Sequence, residues 1–227
     1  MKGKIAFVLC ALLCAFSFPV FADDYLYFGG NYSNTIADGN MSHGVGGNFS
    51  AIGDYGGAKK VYAAIGFTAD VSGERDLNTD DLKEMGVHGV DTKFYDVPMR
   101  IGYPFMLGVS DTTHFLIIPS LAFDLHFFHS GFTQKIVVFD SVYKVNYDMS
   151  GWGFSLGASL NLGMQHRIGK VYLRYGVDFD MRLLTLLIVN AKYSGFVSGT
   201  VSDVAFDTVA DYFMLTSSPY VCIGFKL

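Results

Sequence analysis

An all-β fold is what the 227-residue sequence predicts. Three observations carry that expectation: strict two-residue alternation over Lys170–Leu184, high apolar content without a long apolar run, and a last segment that alternates to its final residue. In Lys170–Leu184 one set is Val171, Leu173, Tyr175, Val177, Phe179, Met181 and Leu183. The other is Tyr172, Arg174, Gly176, Asp178, Asp180, Arg182 and Leu184. Successive side chains leave opposite faces of a strand, so one face is apolar and the other carries the charges. A soluble sandwich would bury the apolar face. A membrane-spanning barrel would turn it to lipid and the charged face to a polar interior.

The rest of the chain favours the barrel. Residues 1–22 read as a cleaved signal peptide: Lys2 and Lys4, an apolar stretch from Ile5 to Phe18, then Val20-Phe21-Ala22 before Asp23. Acylation at Cys14 is the weaker reading, because Leu13 stands where a small residue is preferred. Residues 23–227 are then the folded unit, with Cys222 as its only cysteine and hence no internal disulfide. Apolar residues make up 51% of the chain and aromatics 16%, against 16% charged. After the leader no run approaches the roughly 18 apolar residues of a spanning helix; Phe115–Phe123 is broken by Pro119 and Ser120. Such content behind a leader implies strands that cross a bilayer. Without Lys2 and Lys4 the chain has 14 basic and 21 acidic residues, a net −7 that gives nucleic acid no footing.

Eight strands follow in order. Strand one spans about Tyr25–Asn34, and Ala37-Asp38-Gly39-Asn40 is a turn by composition. Strand two, near His43–Gly53, sets Val45, Phe49 and Ala51 outward and Gly46, Asn48 and Ser50 inward. Asp54-Tyr55-Gly56-Gly57 leads into strand three, Lys60–Val71, and Gly73–Gly89 is a long acidic loop. Strand four, Phe94–Phe105, turns Asp96, Pro98 and Arg100 inward; strand five, His114–Phe128, does so with Asp124 and His126. Ser130–Ser150 is a long connection whose middle, Lys135–Asn146, is extended, so the strands should project beyond the membrane. Strand six, Gly151–Gln165, alternates Trp152, Phe154, Leu156 and Leu160 with Gly153, Ser155, Gly157 and Ser159. Strand seven is the opening segment, Thr185–Asp203 the last long loop, and strand eight ends the chain. Alternating long and short connections predict an eight-stranded antiparallel up-and-down transmembrane β-barrel with short periplasmic turns and long extracellular loops.

Three chemical motifs have plainer readings. Gly153-Phe154-Ser155-Leu156-Gly157 matches the G-x-S-x-G nucleophile pattern but lies mid-strand with no helix after it, so its glycines should make room for side chains opposite. Asp76-x-Asn78-x-Asp80 begins like a calcium loop, yet Asp81 replaces the glycine and Val87 the final glutamate. His126, His129 and Ser130 near Asp124 suggest a hydrolase, but alternation puts His126 and His129 on opposite faces. No enzyme, metal site or cofactor is expected.

The expected interior charges are Asp96, Arg100, Asp124, Arg174, Asp178, Asp180, Arg182 and Lys226. Eight strands enclose a space that side chains nearly fill, so a balanced set predicts an ion-pair network, with Arg174 and Arg182 on Asp124, Asp178 and Asp180. Leu116 and Ile118 add apolar inner positions near one end. Leu184, Leu186 and Ile188 continue the inner face at the other, a candidate route for a hydrophobic solute. Val221, Ile223, Phe225 and Leu227 alternate to the terminus like the segment by which barrel-assembly machinery recognises its clients.

By this architecture the chain resembles the small outer-membrane barrels of the OmpA, OmpX and OmpW kind. The partly apolar interior leans to the OmpW-like branch, which implies residence in the bacterial outer membrane, contact with its lipid, and passage or binding of small hydrophobic molecules. The charges around Arg174 fit a plugged OmpX-like barrel equally, which implies a structural or adhesive protein acting through its outer loops on host surface molecules.

Overall fold

Alternation over most of the chain becomes one antiparallel sheet in the computed structural model, which describes residues 25–37, 40–55, 59–71, 86–139, 141–195, 199–206 and 214–227. The expected leader and the calcium-like stretch Asp76–Asp80 lie outside those residues. Among the described residues the strands are β1 (Tyr25–Ala37), β2 (Asn40–Tyr55), β3 (Lys59–Asp70), β4 (Val87–Gly102) and β5 (Phe105–Ser110). They continue as β6 (Thr113–Val138), β7 (Ser141–Ile168), β8 (Val171–Gly195), β9 (Gly199–Phe206) and β10 (Met214–Lys226).

Eight of these form a ring. The pairing runs β1–β2–β3–β4–β6–β7–β8–β10, and β10 pairs back onto β1, with Tyr25 opposite Lys226 and Ala37 opposite Met214. The other two strands sit beside it. Pro104 has no N–H to donate, and the expected strand Phe94–Phe105 instead ends at Gly102. The chain resumes as β5, paired with β6 alone. The β7–β8 turn is tight: Gly169 adopts φ +65°, a conformation that costs a residue with a Cβ.

The last expected long loop is largely strand. Within Thr185–Asp203, β8 continues to Gly195 opposite Val145, and β9 pairs with its outer side from Leu187 to Tyr193. The β-branched and aromatic residues of that stretch gain a partner on each edge, which outweighs its loop-like position. Ser130–Ser150 is strand on both arms, in line with the extended middle expected for it, with Val138 opposite Ser141 at the hairpin end.

The faces are inverted relative to a water-soluble sheet. Leu121 is 75% exposed, and Phe28, Phe67, Ile101, Leu156, Leu160, Phe179, Val221 and Ile223 are exposed with it. Ser50, Thr68, Arg100, Asp124, Ser155, Ser159, Asn161, Arg174 and Arg182 are buried inside the ring. Near the short-turn end the interior is closed by a cluster of Tyr27, Ile52, Tyr62, Leu116, Ile118, Tyr172, Tyr220 and Cys222. Two inward glycines admit one of these rings: a Cβ on Gly163 would lie 2.5 Å from the Tyr220 hydroxyl, and one on Gly176 2.9 Å from it.

Candidate functional site

Strand register assembles the interior charges. Arg100 on β4 grips Asp180 on β8 with two bonds, Nε to Oδ1 at 2.8 Å and Nη2 to Oδ2 at 2.6 Å. Its Nη1 donates to Asp124 on β6 at 2.6 Å. Arg182 on β8 takes the other Asp124 oxygen through Nε, also at 2.6 Å, and approaches Asp96 at 3.9 Å. Asp96 meets His126 Nδ1 at 2.5 Å, and His126 Nε2 meets the Ser155 hydroxyl at 2.9 Å. The result is one continuous polar chain, Asp180–Arg100–Asp124–Arg182–Asp96–His126–Ser155, across four strands. Both Asp124 oxygens are engaged, which is how buried charge is tolerated.

The last three members have the connectivity of a hydrolase triad, carboxylate to imidazole to serine, and the serine is that of the G-x-S-x-G pattern. Reading the sequence missed this constellation, since its members lie about thirty residues apart on β4, β6 and β7. Its serine is enclosed. Ser155 is 1% exposed and sits mid-strand between Asp124 and Thr185, with its backbone committed to ladders on both sides. His129 and Ser130 do not join it: His129 is exposed, 3.5 Å from Asp148, and Ser130 bonds Thr92 at 2.8 Å.

Arg174 departs from the expected carboxylate pairing. Its guanidinium lies among three tyrosine rings, 5.3 Å from Tyr27, 5.0 Å from Tyr62 and 5.3 Å from Tyr220. Nε donates to the Tyr220 hydroxyl at 3.2 Å and Nη2 to Asn161 Oδ1 at 2.9 Å. Asn161 in turn donates to Asp178 at 2.6 Å, so an amide stands between the arginine and the nearest acid. Lys226, expected in the interior, is exposed at the end of β10. Leu116 and Ile118 do face inward, sealed within the aromatic cluster.

Leu184, Leu186 and Ile188 do not continue the inner face. Gly157 is opposite Arg182 but Leu156 is opposite Leu184, so Leu183 is an extra residue and the phase of β8 slips by one. Beyond this bulge Leu184, Leu186 and Ile188 pair with the outward-facing Leu156, Phe154 and Trp152, while Thr185 and Val189 are buried inside. The upper part of the expected hydrophobic route therefore lies on the outside of the ring. Beside the ion chain is instead a cavity of about 60 Å³ of mixed lining, bordered by Thr68, Asp96, Asp178, Thr216, Ser218 and Asn31 and by Tyr62, Ile65 and Pro98. The Oδ1 of Asn31 has no hydrogen-bond partner among the described residues. Such a volume has room for about four waters.

No family model and no curated protein matches the chain. Among solved structures it is similar to Neisserial surface protein A, at 11% identity and TM-score 0.40 over 90% of this chain and 97% of that one. It is similar also to Ail, the attachment invasion locus protein of Yersinia pestis, at 10% identity and TM-score 0.42 over 90% and 99%. A third is a major outer membrane protein from Thermus thermophilus, at 11% identity and TM-score 0.46 over 88% and 98%.

Proposed function

We propose that the ring spans a bacterial outer membrane as a sealed anchor, and that the protein acts through the sheet which β6, β7 and β8 raise above it. The observation that carries this reading is strand length. These strands run 26, 28 and 25 residues, where a tilted crossing needs about 9–11. The surplus is a projecting sheet with aromatic packing of its own: Phe132 stacks on Tyr147 at 4.7 Å, and Tyr147 approaches Tyr193 at 6.3 Å.

Support for the membrane comes from the outer surface. Tyr95, Phe127 and Trp152 are exposed and share one level by direct pairing, and Tyr103 and Phe105 are exposed towards the other end. From Phe127 down to Ile117, the partner of Phe105, is about 33 Å along the strand. At a tilt of about 40° that is about 25 Å of height, the spacing of two aromatic girdles. Lipid is then the partner of the ring, and the exposed Val221, Ile223 and Phe225 are what assembly machinery would read.

Support for a sealed interior comes from the ion chain above the aromatic cluster. Of the expected hydrophobic route only Leu116 and Ile118 lie inside, and both are covered, so among the described residues solute transport has no apolar path and Ser155 is enclosed. The test is conductance of the refolded protein in planar bilayers, together with a variant in which residues 131–148 are replaced by Asn-Gly between the paired Ser130 and Met149. Both proteins should be silent and heat-modifiable. Stepwise conductance by the parent would overturn the sealed-anchor reading.

A further inference from the structure

We propose that the tip of the β6–β7 hairpin docks on an anionic lipid surface facing the membrane that holds the ring. This deepens the surface-acting reading and rests on it. The tip is built against local preference. Phe139 begins the turn with φ +47°, a left-handed conformation suited to Asn, Asp or Gly and rarely taken by an aromatic residue. The strained residue is 98% exposed, and Val137 and Val142 are 68% and 61% exposed beside it. A soluble turn gains nothing from that arrangement.

The kind of partner follows from where the apolar groups point. Val137 and Val142 are opposite one another on one face, Ile136 and Tyr143 on the other, and Phe139 caps the end. A protein groove would meet one face. Apolar groups on both faces and at the end, interrupted only by Asp140 and Ser141, fit the boundary of headgroups and acyl chains, which surrounds what enters it. Lys135 and Lys144 come next, exposed and directly opposite each other on the valine face. Like charges in that position repel, and anionic headgroups meeting the lysines would relieve this while the apolar tip inserts. Asp140 offsets one of the two charges within the stretch. Phe139 lies about 40 Å along the strand from the Phe127 girdle, so the surface it meets is an opposing membrane.

The experiment places the full folded chain in neutral phosphatidylcholine nanodiscs and measures co-flotation with vesicles of phosphatidylcholine, with or without phosphatidylserine. The parent should bind the phosphatidylserine vesicles, and added salt should weaken binding. Phe139→Asn should reduce binding by about tenfold or more, without loss of thermal stability, because Asn accepts the left-handed turn. Lys135→Gln with Lys144→Gln should reduce it by about 30-fold and remove the salt dependence. Phe139→Asn binding like the parent, or the lysine pair making no difference, would overturn the proposal. So would a parent that binds no vesicles while remaining electrically silent, an outcome that leaves the sealed anchor intact.

Discussion

At the scale of the residue, Asp124 is where the interior charges converge. Its two oxygens hold Arg100 and Arg182 at 2.6 Å each. Asp124→Asn keeps the shape and removes the charge, leaving Arg182 with Asp96 at 3.9 Å. The cost should be about 3–5 kcal/mol, the range for breaking a buried pair, read as a lower midpoint of guanidinium unfolding in detergent. Arg174→Met should cost less, since the arginine sits on tyrosine rings and a methionine can fill part of that space. A larger loss at Arg174 than at Asp124 would show the aromatic layer, and not the ion chain, to be the main support. The types of these residues were legible in the sequence, because alternation put Asp96, Arg100, Asp124 and Arg182 on one face. Their partners were not. The rings around Arg174 come from β1, β3 and β10, and only the register of strands distant in sequence brings them together.

The strand β8 shows how one inserted residue limits inference from periodicity. Below Leu183 the alternation is strict and the faces match those expected; above it every position is reversed. The only trace in the sequence is Leu184 itself, an apolar residue where the charged face was due. Two adjacent leucines facing outward cost nothing in lipid, so composition carries no warning. Leu184 lies opposite Leu156, four residues below Trp152, and the proposed placement puts it near mid-membrane. Leu184→Arg should therefore destabilise the protein by about 2–4 kcal/mol, measured by the same unfolding. Facing inward beside Asp96 and Asp180, the same arginine would find acids and cost little. A near-neutral result would place Leu184 inside and remove the bulge from the account.

For the whole molecule, the eight ring strands and the projecting arms of Ser130–Ser150 were recoverable from short-range pattern, while the added strands β5 and β9 and the continuation of β8 were not. Thr185–Asp203 carries loop-like Gly and Ser next to strand-like Val and Ile, and what decides between them is a partner on each edge, which lies outside any local window. The pairing of β1 with β10 has a consequence of its own. Tyr25 and Lys226 are register partners, so the two ends of the described chain are neighbours. The order of synthesis then leaves no mark on the finished ring, and any short turn is as good a place to begin. A circularly permuted chain, with Leu227 linked to Tyr25 and new ends opened between Gly169 and Lys170, should refold in detergent micelles to the same heat-modifiable species. Failure to refold would mean that the ring must be closed by β10 last, which would give the final strand a kinetic role that its contacts alone do not require.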